Sequence, residues 1–356
     1  MSDSSNFNIN PALVDFAILG DWMDAQGLPR GEFEHVRPLA GGTQNMLIRF
    51  ERGGRDYVLR RPPPHLRAAS NDVLRRESRV LAALGGTGVR HPRFIAGCPD
   101  DTVMGGAVFF LMEPIEGFNQ ASGLPALHAG SASIRHDMVL DAAEAVAELG
   151  RVDHVAVGLE DFGRPEGFLE RQVRRWTTEL EGYSKFEGYP GPDIPGLADV
   201  ARWLDEHRPA SFEPGIMHGD YHLGNVMFSY DSARLVAIVD WEMCTIGDPL
   251  LDLGWLLVSA AGLLTTGAPP DPAAPPTLYS LGGLPPRDEI IRRYAAGSSR
   301  DLSAATWYEV MACFKLGIIL EGTHARACAG FAPREVGDRL HATTLSLFAG
   351  ARDLIA

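Results

Sequence analysis

The stretch that decides the fold is residues 217–225, which read MHGDYHLGN. It places an acid and an amide, Asp220 and Asn225, five residues apart. Two short apolar runs follow, with the turn-forming residues 229–234 between them, and Asp240 closes the second run. Turn formers between two β-prone runs predict a hairpin. We therefore expect a loop and a strand end to bring these three polar side chains close together.

The three side chains suggest chemistry on a polyphosphate. Carboxylate and amide oxygens are the ligands that Mg²⁺ prefers, and a further carboxylate can meet an acceptor hydroxyl. We interpret Asp220 as the catalytic base or positioner of that hydroxyl, and Asn225 and Asp240 as the Mg²⁺ ligands. The alternative is that all three residues only form turns, which their spacing, order and hairpin context disfavour.

This segment resembles the catalytic and metal-binding loops of the aminoglycoside phosphotransferase and choline kinase branch of the protein-kinase-like fold. A longer string adds VDWE at 239–242 and GDPLLDLG at 247–254. It is similar to phosphotransferase-family proteins that resemble the kinase-like domain fused to some acyl-CoA dehydrogenases. The resemblance covers most of the chain, and it implies an α+β, bilobal protein-kinase-like fold. Its antiparallel-sheet N-lobe would span 1–112 and its larger, mainly helical C-lobe 113–356, with a hinge at about 112–117.

Composition narrows the class of protein. Hydrophobic residues make up 45% and charged residues 22%, which is ordinary for a soluble enzyme. No apolar run is long enough for a membrane span, and the first residues do not form a secretory signal. The net charge of −14 argues against nonspecific nucleic-acid binding. Four cysteines without paired spacing indicate reduced thiols. We expect a cytoplasmic protein without nucleic-acid or membrane partners, and the oligomeric state is not indicated.

The N-terminal segment predicts a helix before the first strand. Asn10 suits an N-cap and Pro11 suits the first helical position. Apolar residues then recur at helical spacing until Gly27 interrupts them. We expect this helix to pack on the first lobe.

Gly41, Gly42 and Thr43 lie between two β-like segments. Glycines in such a loop let backbone amides approach a phosphate without obstruction by side chains. A plain hairpin turn is the alternative for a single pair of glycines. The position before the next strand favours a contact with the phosphates of ATP.

Arg60 lies on the strand that follows this loop. The resemblance implies that this position, a lysine in protein kinases, holds the α and β phosphates of ATP. Arginine keeps the positive charge but has a different shape, and an ordinary surface arginine is the alternative. Its expected partner is Glu77 on the next helix, although Glu77 could instead pair with Arg79 or with a solvent ion.

Residues 113–117, EPIEG, look like the hinge of this fold. A hinge presents backbone carbonyl and amide groups to adenine. We expect Glu113 and Ile115 to make these contacts, since Pro114 offers no amide. The alternative is a strand that exits into a loop.

Four further polar residues surround the catalytic segment. His218 is expected to make a structural hydrogen bond, and we expect Asp248 and Asp252 to brace the catalytic loop. Lys315 stands alone on an apolar run. It either reaches an anionic acceptor or, as we favour, extends its ammonium group to solvent.

Three functions compete. We favour an ATP-dependent kinase acting on the hydroxyl of a small molecule. A nucleotide-binding pseudokinase or regulatory module is supported by Arg60 but disfavoured by the intact Asp220, Asn225 and Asp240. A Ser/Thr protein kinase is disfavoured because only seven residues separate Asp240 from Asp248, which leaves no room for an activation segment. For the acceptor, the resemblance implies a hydroxyacyl-CoA-like metabolite, with an aminoglycoside as the alternative.

Overall fold

The computed structural model describes residues 14–39, 45–63, 69–264 and 275–356. The chain divides into two compact units. Unit 1 comprises Met1–Glu116 with Ala237–Glu242, and unit 2 comprises Gly117–Val236 with Met243–Ala356. The lobe bounds expected from the sequence stay a prediction, and the segment that carries Asp240 groups with unit 1.

Unit 1 is built on a five-stranded antiparallel sheet in the order β1-β2-β3-β5-β4. A two-residue turn joins β2 to β3, and Gly53 and Gly54 adopt φ values of 60° and 74° there. Glycine suits such a turn because both central residues need positive φ. The elements of this unit are α1 (Phe16–Ala25), β1 (Phe33–Pro38), β2 (Met46–Arg52), β3 (Arg55–Arg61), α2 (Ser70–Ala83), β4 (Phe94–Cys98) and β5 (Phe109–Met112).

Helix α1 begins later than the sequence suggested. Asn10 and Pro11 lie outside the described residues, and Val14 and Asp15 are not helical. Asp15 is the N-cap, since its side chain accepts hydrogen bonds from the amides of Ala17 and Ile18 at 2.9 and 3.1 Å. An aspartate at this position satisfies amides that have no partner within the helix.

Strand β3 is covered on both faces. Tyr57 and Leu59 share a hydrophobic core with Leu19 and Met23 of α1. Arg60 points to the opposite face, toward α2, as alternation along a strand requires. The sheet therefore uses one face for its core and the other for a buried charge.

Unit 2 is mainly helical and carries two short antiparallel strand pairs. One pair joins β6 to β9, and the other joins β7 to β8, which is the hairpin expected from the sequence. Its elements are α3 (Ala126–Gly130), α4 (Ala132–Gly150), α5 (Gln172–Glu181), α6 (Leu197–Glu206), β6 (Gly215–Met217), β7 (Val226–Phe228), β8 (Leu235–Ile238), β9 (Thr245–Gly247), α7 (Leu250–Ala260), α8 (Leu278–Leu281), α9 (Arg287–Ala296), α10 (Ala305–Cys328) and α11 (Arg334–Ile355). The last two residues of β8 are assigned to unit 1.

The expected α+β fold class is confirmed. An antiparallel sheet dominates the N-terminal unit, and helices dominate the other. Among the described residues, no helix combines the length and apolar character that crossing a membrane would need. Short strands in unit 2 flank residues 218–225, so regular structure begins and ends next to the candidate catalytic segment.

Candidate active site

Arg60 forms the centre of a buried charge cluster in unit 1. Its Nε donates to Oε2 of Glu77 at 2.8 Å, and the two side chains are 8% and 2% exposed. The expected ion pair is therefore present, and Arg60 is not an ordinary surface arginine. Loss of either partner would leave the other as an uncompensated buried charge, so the ion pair keeps both side chains in this position.

A second carboxylate shares the same guanidinium. Oδ1 of Asp240 lies 2.9 Å from Nη2 of Arg60, and the Asp240 side chain is 43% exposed. Asp240 adopts φ = 67°, a left-handed conformation that is unusual for a residue other than glycine. Such backbone strain persists only where the surroundings enforce it, and it is frequent at functional sites.

Burial and neighbouring charges both shift the pKa values in this cluster. Burial raises the pKa of Glu77 to about 7 despite the attraction of Arg60, and Asp240 and Glu242 add to the rise. Burial would lower the pKa of Arg60, but the carboxylates of Glu77 and Asp240 outweigh it and the pKa is raised. The guanidinium of Arg60 thus pairs with two carboxylates, those of Glu77 and Asp240.

Asp220 and Asn225 are joined directly in unit 2. Nδ2 of Asn225 donates to the backbone oxygen of Asp220 at 3.0 Å and to its Oδ2 at 2.9 Å. Both bonds use the amide nitrogen, so Oδ1 of Asn225 is the atom that could bind a metal. The Asp220 side chain is 31% exposed and can reach a ligand.

Asp220 is ionised over the physiological pH range. Burial would raise its pKa, but His222, Lys315 and His218 outweigh burial and lower it to about 2. Nε2 of His222 lies 3.6 Å from Oδ2 of Asp220. The result is a carboxylate that can accept a hydrogen bond from a hydroxyl but is a weak base.

Asp252 of α7 holds the backbone of this loop. It is fully buried, and it accepts hydrogen bonds from the amides of His218 at 2.5 Å and Gly219 at 2.9 Å. Burial raises its pKa to about 7 although both amides favour the ionised form. The expected bracing role of Asp252 is confirmed.

Gly219 is required at its position because φ is 85° and a Cβ would collide with the backbone oxygen of Met243.

Asp248 makes different contacts from those we expected. It accepts from the amide of Leu250 at 3.1 Å and from the hydroxyl of Tyr308 at 2.5 Å. It therefore holds the start of α7 in place, and the loop is braced through Asp252.

Lys315 also supports the loop. Its Nζ donates to the backbone oxygen of Gly219 at 2.5 Å, and the residue is only 8% exposed. The ammonium group lies 4.9 Å from the ring centroid of Trp255 and 5.5 Å from that of Trp176. Burial lowers its pKa to about 8, although Asp220 and Asp252 oppose this. The expectation that Lys315 extends to solvent is wrong, because the apolar face of α10 that carries it is covered.

The other predicted nucleotide contacts lie partly outside the described residues. Gly41, Gly42 and Thr43 lie outside the described residues. The amide of Glu113 donates to the backbone oxygen of Arg93 at 2.9 Å, so it is not available to adenine. The carbonyl of Glu113 and the amide of Ile115 stay predicted contacts.

Sequence reasoning did not anticipate three supports of the loop. The amide of Leu223 donates to Oγ of Ser259 at 3.1 Å, and the hydroxyl of Tyr221 donates to the backbone oxygen of Ala142 at 2.7 Å. The third is Lys315. A lone lysine in an apolar helix was a visible signal, whereas a serine and a carbonyl on distant helices gave none.

The chain is similar to known proteins over most of its length. The chain is 28% identical over 313 residues to acyl-CoA dehydrogenase family member 11 of Gallus gallus, which covers 84% of this chain and 38% of that protein. The chain thus spans less than half the length of the curated relatives it matches.

Solved structures resemble most of the chain. A Ralstonia eutropha protein provisionally described as an aminoglycoside phosphotransferase is 26% identical, with a TM-score of 0.75 covering 95% of this chain and 98% of that one. The GDP complex of aminoglycoside 2'-phosphotransferase-IIIa is 16% identical, with a TM-score of 0.59 covering 94% and 97%, and this likeness concerns the fold.

One sequence match is long enough to identify the protein family. The sequence model of the phosphotransferase enzyme family (APH) matches residues 35–287, which is more than half of the chain. The match includes Arg60, Glu77, Asp220, Asn225 and Asp240. The chain belongs to the phosphotransferase enzyme family and has the protein-kinase-like fold.

Proposed function

We propose that this protein transfers the γ-phosphoryl group of ATP to a hydroxyl of a small molecule. The observation that carries the proposal is the ionised, partly exposed Asp220, bonded to Asn225 in a loop braced from two helices. Membership of the phosphotransferase enzyme family supports the reaction class.

Asp220 would orient the acceptor hydroxyl and accept its proton as the phosphoryl group moves. A carboxylate whose pKa is lowered to about 2 is a weak base. Phosphoryl transfer has a loose transition state, so orientation contributes more than early proton abstraction. The weak basicity of Asp220 is therefore compatible with this role.

Asn225 and Asp240 would hold Mg²⁺, which neutralises charge on the phosphate oxygens when bound. Oδ1 of Asn225, which is not the atom bonded to Asp220, and the partly exposed carboxylate of Asp240 both suit a hard divalent cation. Arg60, oriented by Glu77, would bind phosphate oxygens of the nucleotide. The proposal requires these residues and Asp220 to act on the same ATP.

For the acceptor we propose a hydroxyacyl-CoA or a related hydroxylated metabolite. This proposal rests on the similarity to acyl-CoA dehydrogenase family member 11, a longer protein of which the chain matches 38%. An aminoglycoside is the second candidate, supported by the description of the Ralstonia eutropha protein and by a net charge of −14, which would attract a cationic acceptor.

An assay of ADP release, with ATP, Mg²⁺ and a panel of candidate acceptors, tests the proposal. The panel comprises hydroxyacyl-CoAs, the same acyl-CoAs without the hydroxyl, aminoglycosides, choline and simple sugars. We expect turnover with a hydroxyacyl-CoA, none with its deoxy counterpart, and loss of turnover in Asp220→Ala. Faster turnover with an aminoglycoside would overturn the acceptor class. No turnover together with no ATP binding would overturn the kinase function and favour a regulatory module.

A further inference from the structure

A second cluster of ligand-type side chains lies in unit 2, between α10 and α11. Glu321, His324 and His341 each offer one ligand atom, and these atoms all lie within 4.8 Å of one another. Glu321 is 0% and His324 is 7% exposed, and the side chain of His341 is 25% exposed. None of these residues belongs to the phosphotransfer site described above.

The packing of α10 against α11 places the three residues next to one another. Glu321 and His324 are three residues apart on α10, which places them on the same face of the helix. Glu321 lies seven residues before the end of α10, and His341 lies seven residues after the start of α11. A Cβ on Gly337 would collide with Ala327, so the two helices are in close contact beside the cluster.

The separations suit a small cation. Nδ1 of His341 lies 2.7 Å from Oε2 of Glu321, and the widest separation among the three ligand atoms is under 4.8 Å. Bonds of about 2.1 Å at tetrahedral angles would set the ligand atoms roughly 3.4 Å apart. The separation between Glu321 and His341 is shorter than this value and no separation exceeds 4.8 Å, so small side-chain rotations would produce a site.

The chemistry of the side chains selects the type of metal. The imidazole rings of His324 and His341 stack with centroids 4.6 Å apart. Nδ1 of His324 is buried and makes no hydrogen bond within the described part of the chain, although Oδ1 of Asp338 lies 3.4 Å away. Two imidazoles and a carboxylate suit Zn²⁺ and similar transition metals better than Mg²⁺.

Neighbouring groups would support the ligands. The hydroxyl of Tyr189 donates to Oε1 of Glu321 at 2.9 Å, which leaves Oε2 on the side of His341. Sγ of Cys328 lies 3.6 Å from Nε2 of His324. Hydrogen bonds of this kind orient metal ligands and increase metal affinity.

We propose that Glu321, His324 and His341 bind one divalent transition-metal ion of the Zn²⁺ class, which ties α10 to α11. The inference is independent of phosphoryl transfer. Its consequence is mechanical, because α10 also carries Lys315, the residue that holds the backbone of Gly219.

Titration of the full chain with Zn²⁺ and with Co²⁺ tests the proposal, after removal of metals by a chelator and in excess Mg²⁺ to compete at oxygen-ligand sites. Calorimetry should give one Zn²⁺ per chain, and Co²⁺ should produce the visible absorption of a low-symmetry site. At a Zn²⁺ concentration about 100 times Kd, we expect Tm to rise by roughly 3–6 °C.

Variants locate the site. His324→Asn and His341→Asn should each weaken Zn²⁺ binding by more than about 100-fold, and Tyr189→Phe, which removes no ligand, by about 10-fold. The matched controls are His35→Asn, in the exposed cluster of Glu34, His35 and Glu51, and His136→Asn beside Glu289. Both controls should bind normally.

Unchanged stoichiometry and affinity in His324→Asn and His341→Asn would overturn the proposal, as would loss of binding only in His35→Asn. If either ligand variant fails to fold, as judged by circular dichroism, Tyr189→Phe and the Co²⁺ spectrum decide. A normal affinity in Tyr189→Phe, or a Co²⁺ spectrum typical of the hydrated ion, would also contradict the site.

Discussion

Glu77 of unit 1 and Asp252 of unit 2 are both buried acids, and burial raises the pKa of each to about 7. They differ in what compensates for the burial. Glu77 accepts from the guanidinium of Arg60, whereas Asp252 accepts from two backbone amides. The first arrangement orients a side chain, and the second fixes the path of a loop.

This difference shows how each unit positions its charges. In unit 1, a strand and a helix already hold the backbone, so buried charges need only pair with one another. In unit 2, residues 218–225 have little regular structure of their own, and the loop depends on Asp252, Ser259 and Lys315 for its shape. We therefore expect substitutions in unit 2 to be tolerated less well than chemically similar ones in unit 1.

Asp220→Ala should have the largest effect of the substitutions considered. Loss of the group that orients and deprotonates the acceptor should lower kcat by about 10²–10⁴-fold, with little change in the free energy of unfolding. The measurement is ADP release with the acceptor found by screening, alongside urea unfolding. Asp231→Ala, an exposed aspartate on the hairpin turn, is the control and should stay active. Activity within about threefold of that of the parent protein would show that the Asp220 carboxylate has no part in the mechanism.

Lys315→Met tests whether the loop depends on a distant helix. The change leaves the oxygen of Gly219 without its donor and Asp252 without a nearby cation, so the free energy of unfolding should fall by about 3–5 kcal/mol. Urea denaturation measures this. The control is Lys185→Met, since Lys185 is exposed and is the other lysine of the sequence. Equal midpoints for the two variants would show that the loop holds its shape without Lys315.

Asp252→Asn and Glu77→Gln form the direct test of the comparison. Asparagine at position 252 replaces one of the two accepting oxygens by an NH₂ group, which then faces a backbone N–H. This should lower the free energy of unfolding by about 2–3 kcal/mol. The side-chain amide that Glu77→Gln introduces can still accept from Arg60, so this variant should lose less than about 1 kcal/mol. Parallel urea denaturation at pH 7 measures both. Equal losses would contradict the distinction between the two units.

The pH dependence of Glu77→Gln sharpens the same test. The folded protein holds the Glu77 proton up to about pH 7, whereas an unfolded glutamate releases it near its ordinary pKa. The folded state thus binds more protons in this window, and stability falls as pH rises from about 4.5 to 7. Glu77→Gln should lose part of this slope, and a slope equal to that of the parent protein would contradict the raised pKa.

Arg60→Lys should affect activity less than Asp220→Ala does, because it keeps the charge and changes only its shape. The two carboxylates bind different nitrogens of Arg60, and an ammonium group cannot reproduce that fork. We expect the KM for ATP to rise by about tenfold, or about 1.4 kcal/mol, with kcat less affected. Arg55→Lys, at the half-exposed pair with Glu113, is the control. No change in KM would argue against a phosphate contact by Arg60.

Local patterns were reliable where neighbours in sequence decide the structure. The turn between β7 and β8 followed from its residues, and alternation along β3 placed Arg60 on the face that meets α2. Asn10 and Asp15 are both suitable cap residues, and residue type alone did not show that Asp15 caps α1. The amide of Glu113 could not be foreseen as occupied, since its partner Arg93 comes from a neighbouring strand segment.

The sequence by itself determined the family and the fold class and singled out Asp220, Asn225 and Asp240 as the predicted site residues, because these inferences depend on residue type and spacing along the chain. Only the tertiary structure decided that Lys315 is buried, that Asp252 holds two amides of the loop, and that Glu321, His324 and His341 converge. Helical periodicity shows which face of a helix is apolar but not which atoms lie opposite it. The free energy of a buried charge depends on those atoms, so its role emerges only when distant segments pack together.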